Sequence, residues 1–368
     1  MEHILQLLHY ACSFFVVLSV IVFVHEFGHY IVAKWSGVKI EAFSIGFGKE
    51  LFGWTDRSGT RWKVSLVPMG GYVKMYGDGS AASTPDAEKA AVMTDEEKAI
   101  SFHHKPLHKK AAVVVAGPVF NFLLTIVILT GLIMMNGISS TAPVVGDILP
   151  ESSAAEAGLK TGDRILSVDG KEVKVFNDIP GFIATNLGTP VSLRILRDGQ
   201  EETLTLSPRM TEDQDAFGNT VSRPLLGIKS QPYEQQHIGF FGAIGEAVKR
   251  TIQICEMTLK AVSQIITGDR SAKELKGPIG IAQLSGQATQ MDFVTVLWFI
   301  ALLSANLGLV NLFPIPLLDG GHLMYYAIEA VRGKPLAEKV QDYGFRLGFA
   351  VVAMLMVFAI FNDLRNIF

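Results

Sequence analysis

The residues best suited to chemistry stand together near the start of the chain, in VFVHEFGHYIVAKW, Val22 to Trp35. His25 and His29 are four apart, so on a helix both imidazoles project from one face, with Glu26 beside them. Two imidazoles can hold a metal ion while a neighbouring carboxylate acts as general base on a water, the arrangement of zinc hydrolases. A catalytic zinc also needs a third protein ligand and an open position for water, whose pKa it lowers to about 7. A pattern this short also arises by chance, as solvated polar residues at a helix end.

The third ligand must come from elsewhere, and NLFPIPLLDGGH, Asn311 to His322, offers two donors, Asp319 and His322. Its two prolines predict a helix that is broken or unwound there. Irregular backbone at membrane depth is tolerated only against protein or a water-filled cavity, which gives a carboxylate in this place a purpose beyond a surface helix end. His103, His104 and His108 sit among lysines and predict a solvated basic face instead.

The elements that must position these groups are long and apolar. Of 368 residues, 49% are hydrophobic and only 18% charged, with 23 phenylalanines, where a soluble protein carries about a quarter charged residues. Runs at Ile4–Val24, Ala111–Met135, Phe293–Leu318 and Gly344–Phe361 are each long enough for ~30 Å of hydrocarbon. The first is read as a retained helix rather than a signal peptide, because Met1-Glu2-His3 is not basic and no small-residue cleavage site follows. A fifth stretch, Ile238–Ile266, interleaves Glu246, Lys249, Arg250, Glu256 and Lys260 with apolar residues. That suits a helix lying in the interface. The net charge of −3 gives no support to a nucleic-acid partner. Cys12 and Cys255 show neither metal spacing nor a disulfide framework.

Lysine and arginine orient the spans. Lys39, Lys49, Lys63, Lys105, Lys109 and Lys110 crowd the loop after the first run, and Arg332, Lys334 and Lys339 precede the fourth. The first loop is therefore expected in the cytoplasm, with the amino terminus, the long segment between runs two and three, and the carboxyl terminus outside. In that topology the first and third spans both run inward. His25, His29 and Asp319 then end at similar depth, where unpaired ionisable groups are costly.

With HEFGH in the first span and NLFPIPLLDGG closing the third, the chain resembles the site-2 protease family of intramembrane zinc metalloproteases, in its bacterial regulator of sigma-E protease branch. AGPVFNF (Ala116 to Phe122) and GPIGIAQ (Gly277 to Gln283) also resemble segments of that family. The resemblance implies that His25, His29 and Asp319 bind Zn2+, that Glu26 is the catalytic base, and that Asn311, Pro314 and Pro316 help hold the substrate. It implies a multi-pass protein of the bacterial inner membrane with its active site toward the cytoplasm. Single-span membrane proteins would be its substrates, such as a pre-cleaved anti-sigma factor or signal-peptide remnants. Enterobacterial members carry two PDZ domains, whereas this chain has room for one.

That one occupies the outside segment. VVGDIL, RILSVDG, VSLRILRDG and ETLTLS read as short strands with turns at Asp169-Gly170 and Asp198-Gly199. SSAAEAGLKTGDRILSVDGKEV resembles the bacterial PDZ pattern, and Asp178 to Asn186 would supply the helix beside a peptide groove. Such a domain binds an extended peptide by strand addition, filters substrates by size, or is a plain spacer. In the cytoplasmic loop, RWKVSLVPMGGYVKMYGD (Arg61 to Asp78) reads as a hairpin turning at Pro68-Met69-Gly70-Gly71. We expect it to dip into the membrane and offer an edge strand to the substrate at Gly70 and Gly71, with Ile45–Gly48 as neighbour. Gly77–Lys98, small, polar and acidic, reads as a mobile loop.

The expected fold class is a polytopic α-helical membrane protein of about four transmembrane helices, with a membrane-associated β-hairpin and an inserted α+β PDZ domain. The expected divisions are 1–35, first span with the histidines; 36–110, cytoplasmic loop; 111–136, second span; 142–209, periplasmic PDZ domain; 210–292, connector with interfacial helix; 293–321, third span; and 344–362, fourth span. Two rival functions compete with a protease. A silent scaffold would lack Glu26 or a ligand, and a metal transporter would carry ionisable groups along several spans.

Overall fold

The computed structural model describes residues 2–79, 92–140, 142–176, 178–183, 189–214, 220–231, 234–269, 271 and 275–367. The chain divides into two compact units, residues 1–128 with 275–368, and the inserted residues 129–274.

In the first unit, α1 (Glu2–Trp35) runs unbroken through the apolar stretch and both histidines. It ends in a Schellman turn, where Gly37 takes a φ of 74° and Val38 N–H reaches back to Ala33 O at 3.0 Å. β1 (Ile40–Thr55) and β2 (Arg61–Met75) then pair antiparallel with repeated register shifts. The first half of β1 meets the second half of β2 (Ile40↔Met75, Phe43↔Val73, Ile45↔Gly71), while the outer halves meet each other (Phe52↔Val64, Trp54↔Trp62). The ribbon is bent so that Phe43 also stacks on Trp62, ring centroids 4.4 Å apart.

The turn lies at 56–60, not at Pro68–Gly71 as the sequence pattern predicts. Asp56 is the reason. Its Oδ1 accepts from the N–H groups of Ser58 (2.8 Å) and Thr60 (3.0 Å), and its Oδ2 from Trp62 Nε1 (3.0 Å). Pro68 to Gly71 instead form an irregular stretch inside β2. Phe43, Val73 and Met75 pack with Tyr30, Phe102 and Val113, which pins the ribbon to the end of α1 and the start of the next span.

Within Gly77–Lys98, residues 80–91 lie outside the described residues, but the rest is not all loop. α2 (Asp95–Ile100) starts with a capping box in which Glu97 N–H bonds Thr94 Oγ1 and Thr94 N–H bonds Glu97 Oε2 at 2.9 Å. α3 (Leu107–Asn136) follows, with Pro118 inside it.

The inserted unit contains β3 (Ile138–Ser140), β4 (Val145–Ile148), α4 (Ser153–Glu156), β5 (Arg164–Val168) and β6 (Lys171–Glu172). α5 (Asp178–Ile183), β7 (Val191–Arg197) and β8 (Gln200–Leu206) come next, and the sheet order is β6-β5-β7-β8. Both expected turns are present, with positive φ at Asp169, Gly170, Asp198 and Gly199. Of the helix expected over Asp178–Asn186, residues 184–186 lie outside the described residues.

The unit does not end near residue 209. β9 (Arg209–Gln214) and β10 (Thr220–Leu225) form a hairpin, and β11 (Ile228–Ser230) returns to pair with β4 (Ile228↔Ile148, Ser230↔Val145). Leu226 is buried in the same core as Val145, Ile165, Leu193 and Ile195. Unlike the alternating strands before it, this closing segment has few apolar residues to announce it. β12 (Glu234–Gln236) pairs with β3. α6 (Phe240–Thr267) buries Ala243 and Ala247 on one face and exposes Phe241, Ile252, Leu259 and Ile266 on the other.

The first unit resumes with α7 (Pro278–Met291), α8 (Phe293–Asn311), α9 (Asp319–Arg332) and α10 (Glu338–Ile367). The third span is shorter than 293–321, stopping at Asn311, and Asp319 opens a new helix. Pro314 and Pro316 lack the N–H that would continue α8. The fourth helix is longer than 344–362 at both ends. Buried Asp363 explains GPIGIAQ, since its carboxylate accepts from the N–H groups of Gly277, Ile279 and Gly280 at the start of α7. Among the described residues, four helices are long and apolar enough to cross a membrane: α1, α3, α8 and α10.

Candidate metal centre

Helix periodicity brings the two imidazoles of α1 together, and their Nε2 atoms face each other at 3.2 Å. Asp319, first residue of α9, sets its Oδ2 3.2 Å from His25 Nε2 and 3.5 Å from His29 Nε2. The three side chains offer ligand atoms within 4.8 Å of one another. His29 Nδ1 stands 2.8 Å from Val113 O. A carbonyl can only accept, so Nδ1 carries a ring proton, and in the neutral imidazole Nε2 then keeps its lone pair for a metal. Asp319 Oδ2 is buried, with the two Nε2 atoms as its ion-pair partners. Lone pairs from two imidazoles and a carboxylate converging on one buried point are the donor set of a catalytic zinc site, so the residues fit that ion.

Glycines make the approach possible. A Cβ on Gly28 of α1 would stand 2.5 Å from Ala116 O, and one on Gly117 of α3 would stand 2.7 Å from His25 Cε1 and nearer still to the His29 ring. The two helices therefore cross backbone to backbone where the imidazoles lie. α3 is tied to α8 in turn: Thr125 Oγ1 donates to Ala301 O at 3.0 Å, and Ser304 Oγ to Asn121 O at 2.8 Å. Below them, Gly320 sits against the carbonyls of Leu312 and Phe313, where no side chain fits. The Asp-Gly-Gly sequence thus lets α9 start directly against the broken end of α8. Leu317 is held there at a φ of 144°, a strained value for a residue with a side chain.

A cavity of about 210 Å³ opens beside the three ligand atoms. Glu26, Gly71, Tyr72, Val73 and Asn311 line it. Gly71 comes so close to Glu26 that a Cβ would stand 2.9 Å from its Cγ. Gly70 is one step removed, with a φ of 112°, and a Cβ there would stand 2.8 Å from the Phe47 ring. Asn311 Nδ2 is 3.5 Å from His25 Nε2. Pro314 and Pro316 do not line this cavity, and they act on it through the path they give the chain. His322 lines the cavity but stands outside the group of three, its ring against Phe345 at 5.4 Å.

The histidines at 103, 104 and 108 are not one solvated face. His104 and His108 are exposed, whereas His103 is half-buried with its Nε2 2.8 Å from the buried carboxylate of Asp78. Sequence reasoning also passed over two residues of α3, Gly117 and Asn121. Asn121 is fully buried, its Nδ2 3.1 Å from His25 Nδ1. The available signal was an asparagine in an otherwise apolar span, within AGPVFNF.

Residues 13–355 match the description Peptidase family M50. A protein of Rhizobium meliloti (strain 1021) named as a zinc metalloprotease is 45% identical over 360 residues, covering 97% of this chain and 96% of its own. One of Agrobacterium fabrum, named likewise, is 42% identical over 362 residues, with 97% and 96% covered. Metalloprotease MmpA of Caulobacter vibrioides is 37% identical over 377 residues, with 96% and 95% covered. Among solved structures, the PDZ domain of an SdrC-like protein from Listeria innocua covers 26% of this chain and 99% of its own, at 20% identity and a TM-score of 0.21. The family match runs from α1 into α10 and so takes in every residue of the convergent donor set: the chain belongs to peptidase family M50 and is a zinc metalloprotease.

Proposed function

We propose that this zinc protease hydrolyses peptide bonds within or near the transmembrane segment of single-span membrane proteins, working in a bacterial inner membrane. His25, His29 and Asp319 hold the zinc, Glu26 is the base, and the site opens toward the cytoplasm. The observation that carries this reading is the placement of Gly71–Met75. Among the described residues, this stretch pairs with β1 on one side, the Met75 N–H is taken by Asp78 Oδ2 at 2.9 Å, and Gly71, Tyr72, Val73 and Met75 line the metal-site cavity. A free strand edge beside a hydrolytic site takes extended backbone.

A transmembrane helix hides its carbonyls in its own hydrogen bonds, so a segment must unwind before it can be cut. Pairing with Gly71–Lys74 replaces the bonds lost. Gly70 and Gly71 keep the edge open beside the site, and Asn311, with the segment broken by Pro314 and Pro316, holds the unwound peptide from the other side. Zinc, when bound, supplies Lewis acidity that polarises the scissile carbonyl and makes water nucleophilic at neutral pH. Glu26 takes a proton from the attacking water and returns it to the leaving amine. The exposed Leu51, Phe52, Trp54 and Leu66 on the ribbon support its association with the bilayer.

The inserted unit, on this reading, is a PDZ domain on the periplasmic side that binds an extended peptide or turns away bulky substrates. A pre-cleaved anti-sigma factor or a signal-peptide remnant is the expected substrate class. The test is reconstitution with a single-span reporter, comparing wild type with Glu26→Gln. Loss of cleavage by about 10²–10⁴-fold with zinc retained is expected; equal cleavage by both forms would sink the proposal. A reporter placed after Pro208 should report from the periplasm.

A further inference from the structure

The contact between Asn121 and His25 has a hydrogen-bond problem whose solution gives Asn121 a role. His25 Nδ1 has the Asn121 amide nitrogen as its neighbour at 3.1 Å. An NH2 group only donates, so in that arrangement His25 Nδ1 accepts and the ring proton must sit on Nε2. That is the atom facing His29 Nε2 and Asp319 Oδ2, where a ligand needs a lone pair. Meanwhile the other end of the same amide, Asn121 Oδ1, is buried with no partner, in a side chain with 0% exposure. A half turn of the amide exchanges two groups of nearly equal size, and the oxygen that lacks a donor then meets the ring nitrogen.

We propose that Asn121 is the positioning residue for His25: in the zinc-loaded protein its Oδ1 accepts from His25 Nδ1–H, fixing the tautomer that presents Nε2 to the metal. The inference rests on the zinc-site reading above. It makes the two imidazoles a matched pair, each anchored by an acceptor on α3: His29 by Val113 O, and His25 by the Asn121 side chain two helical turns further on. A backbone carbonyl cannot be removed by mutation, whereas the asparagine can. The span that contributes no ligand would thus orient both ligands on α1. Hydrogen-bond partners of ligating histidines typically set about 10–100-fold in metal affinity.

The test measures zinc affinity of purified full-length protein by competition with a chromogenic chelator, in wild type, Asn121→Leu, Asn121→Asp and His29→Ala. Leucine keeps the volume and removes the acceptor, and should weaken zinc about 10–100-fold. Aspartate offers only acceptors and should restore wild-type affinity or exceed it. Leucine binding zinc as tightly as wild type, or aspartate binding as weakly as leucine, overturns the proposal. A second measurement needs no variant at the position. In zinc-loaded wild type with 15N-labelled histidine, the His25 Nδ1 signal, assigned by its loss in His25→Gln, should be that of a protonated ring nitrogen. An unprotonated signal overturns the assignment. Zinc bound by wild type but not by His29→Ala upholds the metal site whatever Asn121 does. If wild type and His29→Ala bind zinc alike, the site and this inference fall together.

Discussion

The carboxylate of Asp319 lies 3.2 Å from His25 Nε2, and no helix periodicity brings it there. α8 stops at Asn311, and the path through Pro314 and Pro316 lets α9 begin again with Asp319 at its first position. Gly320 and Gly321 tuck α9 under the carbonyls of the broken segment. One half of the convergent donor set is therefore made by regular helix, and the other by a break in one.

This division sets the ligand set apart from its neighbours. Asp319→Ala and His29→Ala should each lose zinc by more than the about 100-fold that removing a ligand's hydrogen-bond partner costs. His322→Ala should keep it, because His322 borders the cavity without joining the three converging donors. Metal analysis of purified protein after dialysis decides the matter. Zinc loss in His322→Ala would bring that imidazole back as a ligand.

Gly117 is the point where α3 meets both rings. Alanine there must push its methyl group against His25 Cε1, 2.7 Å from the ideal position, and against the His29 ring. Overpacking of this kind costs about 1–3 kcal/mol. Here it falls on the ligands, so Gly117→Ala should lower zinc affinity more than it lowers the unfolding temperature of metal-free protein. Gly131 of the same helix has open space beside it. Gly131→Ala should leave zinc affinity at the wild-type level.

How much of this could be read beforehand depends on the range of the signal. His25, Glu26 and His29 share one helix turn, and Asp319 follows a proline-broken segment, so local chemistry singles them out as candidates. Residue patterns also located the four helices long and apolar enough to cross a membrane, because hydrocarbon imposes a length. The Asp169-Gly170 and Asp198-Gly199 turns were visible because few residues tolerate positive φ in sequence. By contrast, the turn at Asp56 was missed: the Pro-Gly-Gly punctuation lay at 68–71, while the actual turn is built by one carboxylate collecting three N–H donors. β11 was missed because its partner, β4, lies some eighty residues earlier, and strand pairing over that distance leaves no local periodicity. Asn121 and Gly117 matter only once α3 is laid against α1.

Gly71 offers a test that separates the strand edge from the metal. A Cβ at this position would stand 2.7 Å from Ser44 O, 2.9 Å from Glu26 Cγ and 3.0 Å from Val22 Cγ1. Gly71→Ala therefore displaces either the edge strand or Glu26, both needed for turnover on the proposed mechanism, while no proposed ligand atom is touched. Cleavage of a single-span reporter should fall at least about tenfold, with zinc content unchanged. Such a loss corresponds to about 1.4 kcal/mol of transition-state stabilisation. Full activity in Gly71→Ala would show that the edge strand can move without consequence and would remove it from the substrate's path.

The inserted unit carries its own pH signature. Burial alone would raise the Asp163 carboxyl, but Arg197 clamps it with Nε at 2.8 Å and Nη2 at 2.6 Å, and Lys160 N–H adds a third bond at 2.7 Å. The net effect holds the carboxyl below its ordinary range. A carboxyl whose folded pKa is depressed contributes stability above its unfolded value of about 3.9, and that contribution is lost as pH falls toward the folded value. Arg197→Met removes the clamp. The variant should therefore unfold its inserted unit at lower urea than wild type at neutral pH, read by brief proteolysis after equilibration. The gap between the two should shrink as pH drops through the range below about 4, where Asp163 becomes protonated and the ion pair is gone in both. A gap of constant size down to the lowest pH would mean that Arg197 stabilises the unit by packing its stem rather than by its charge.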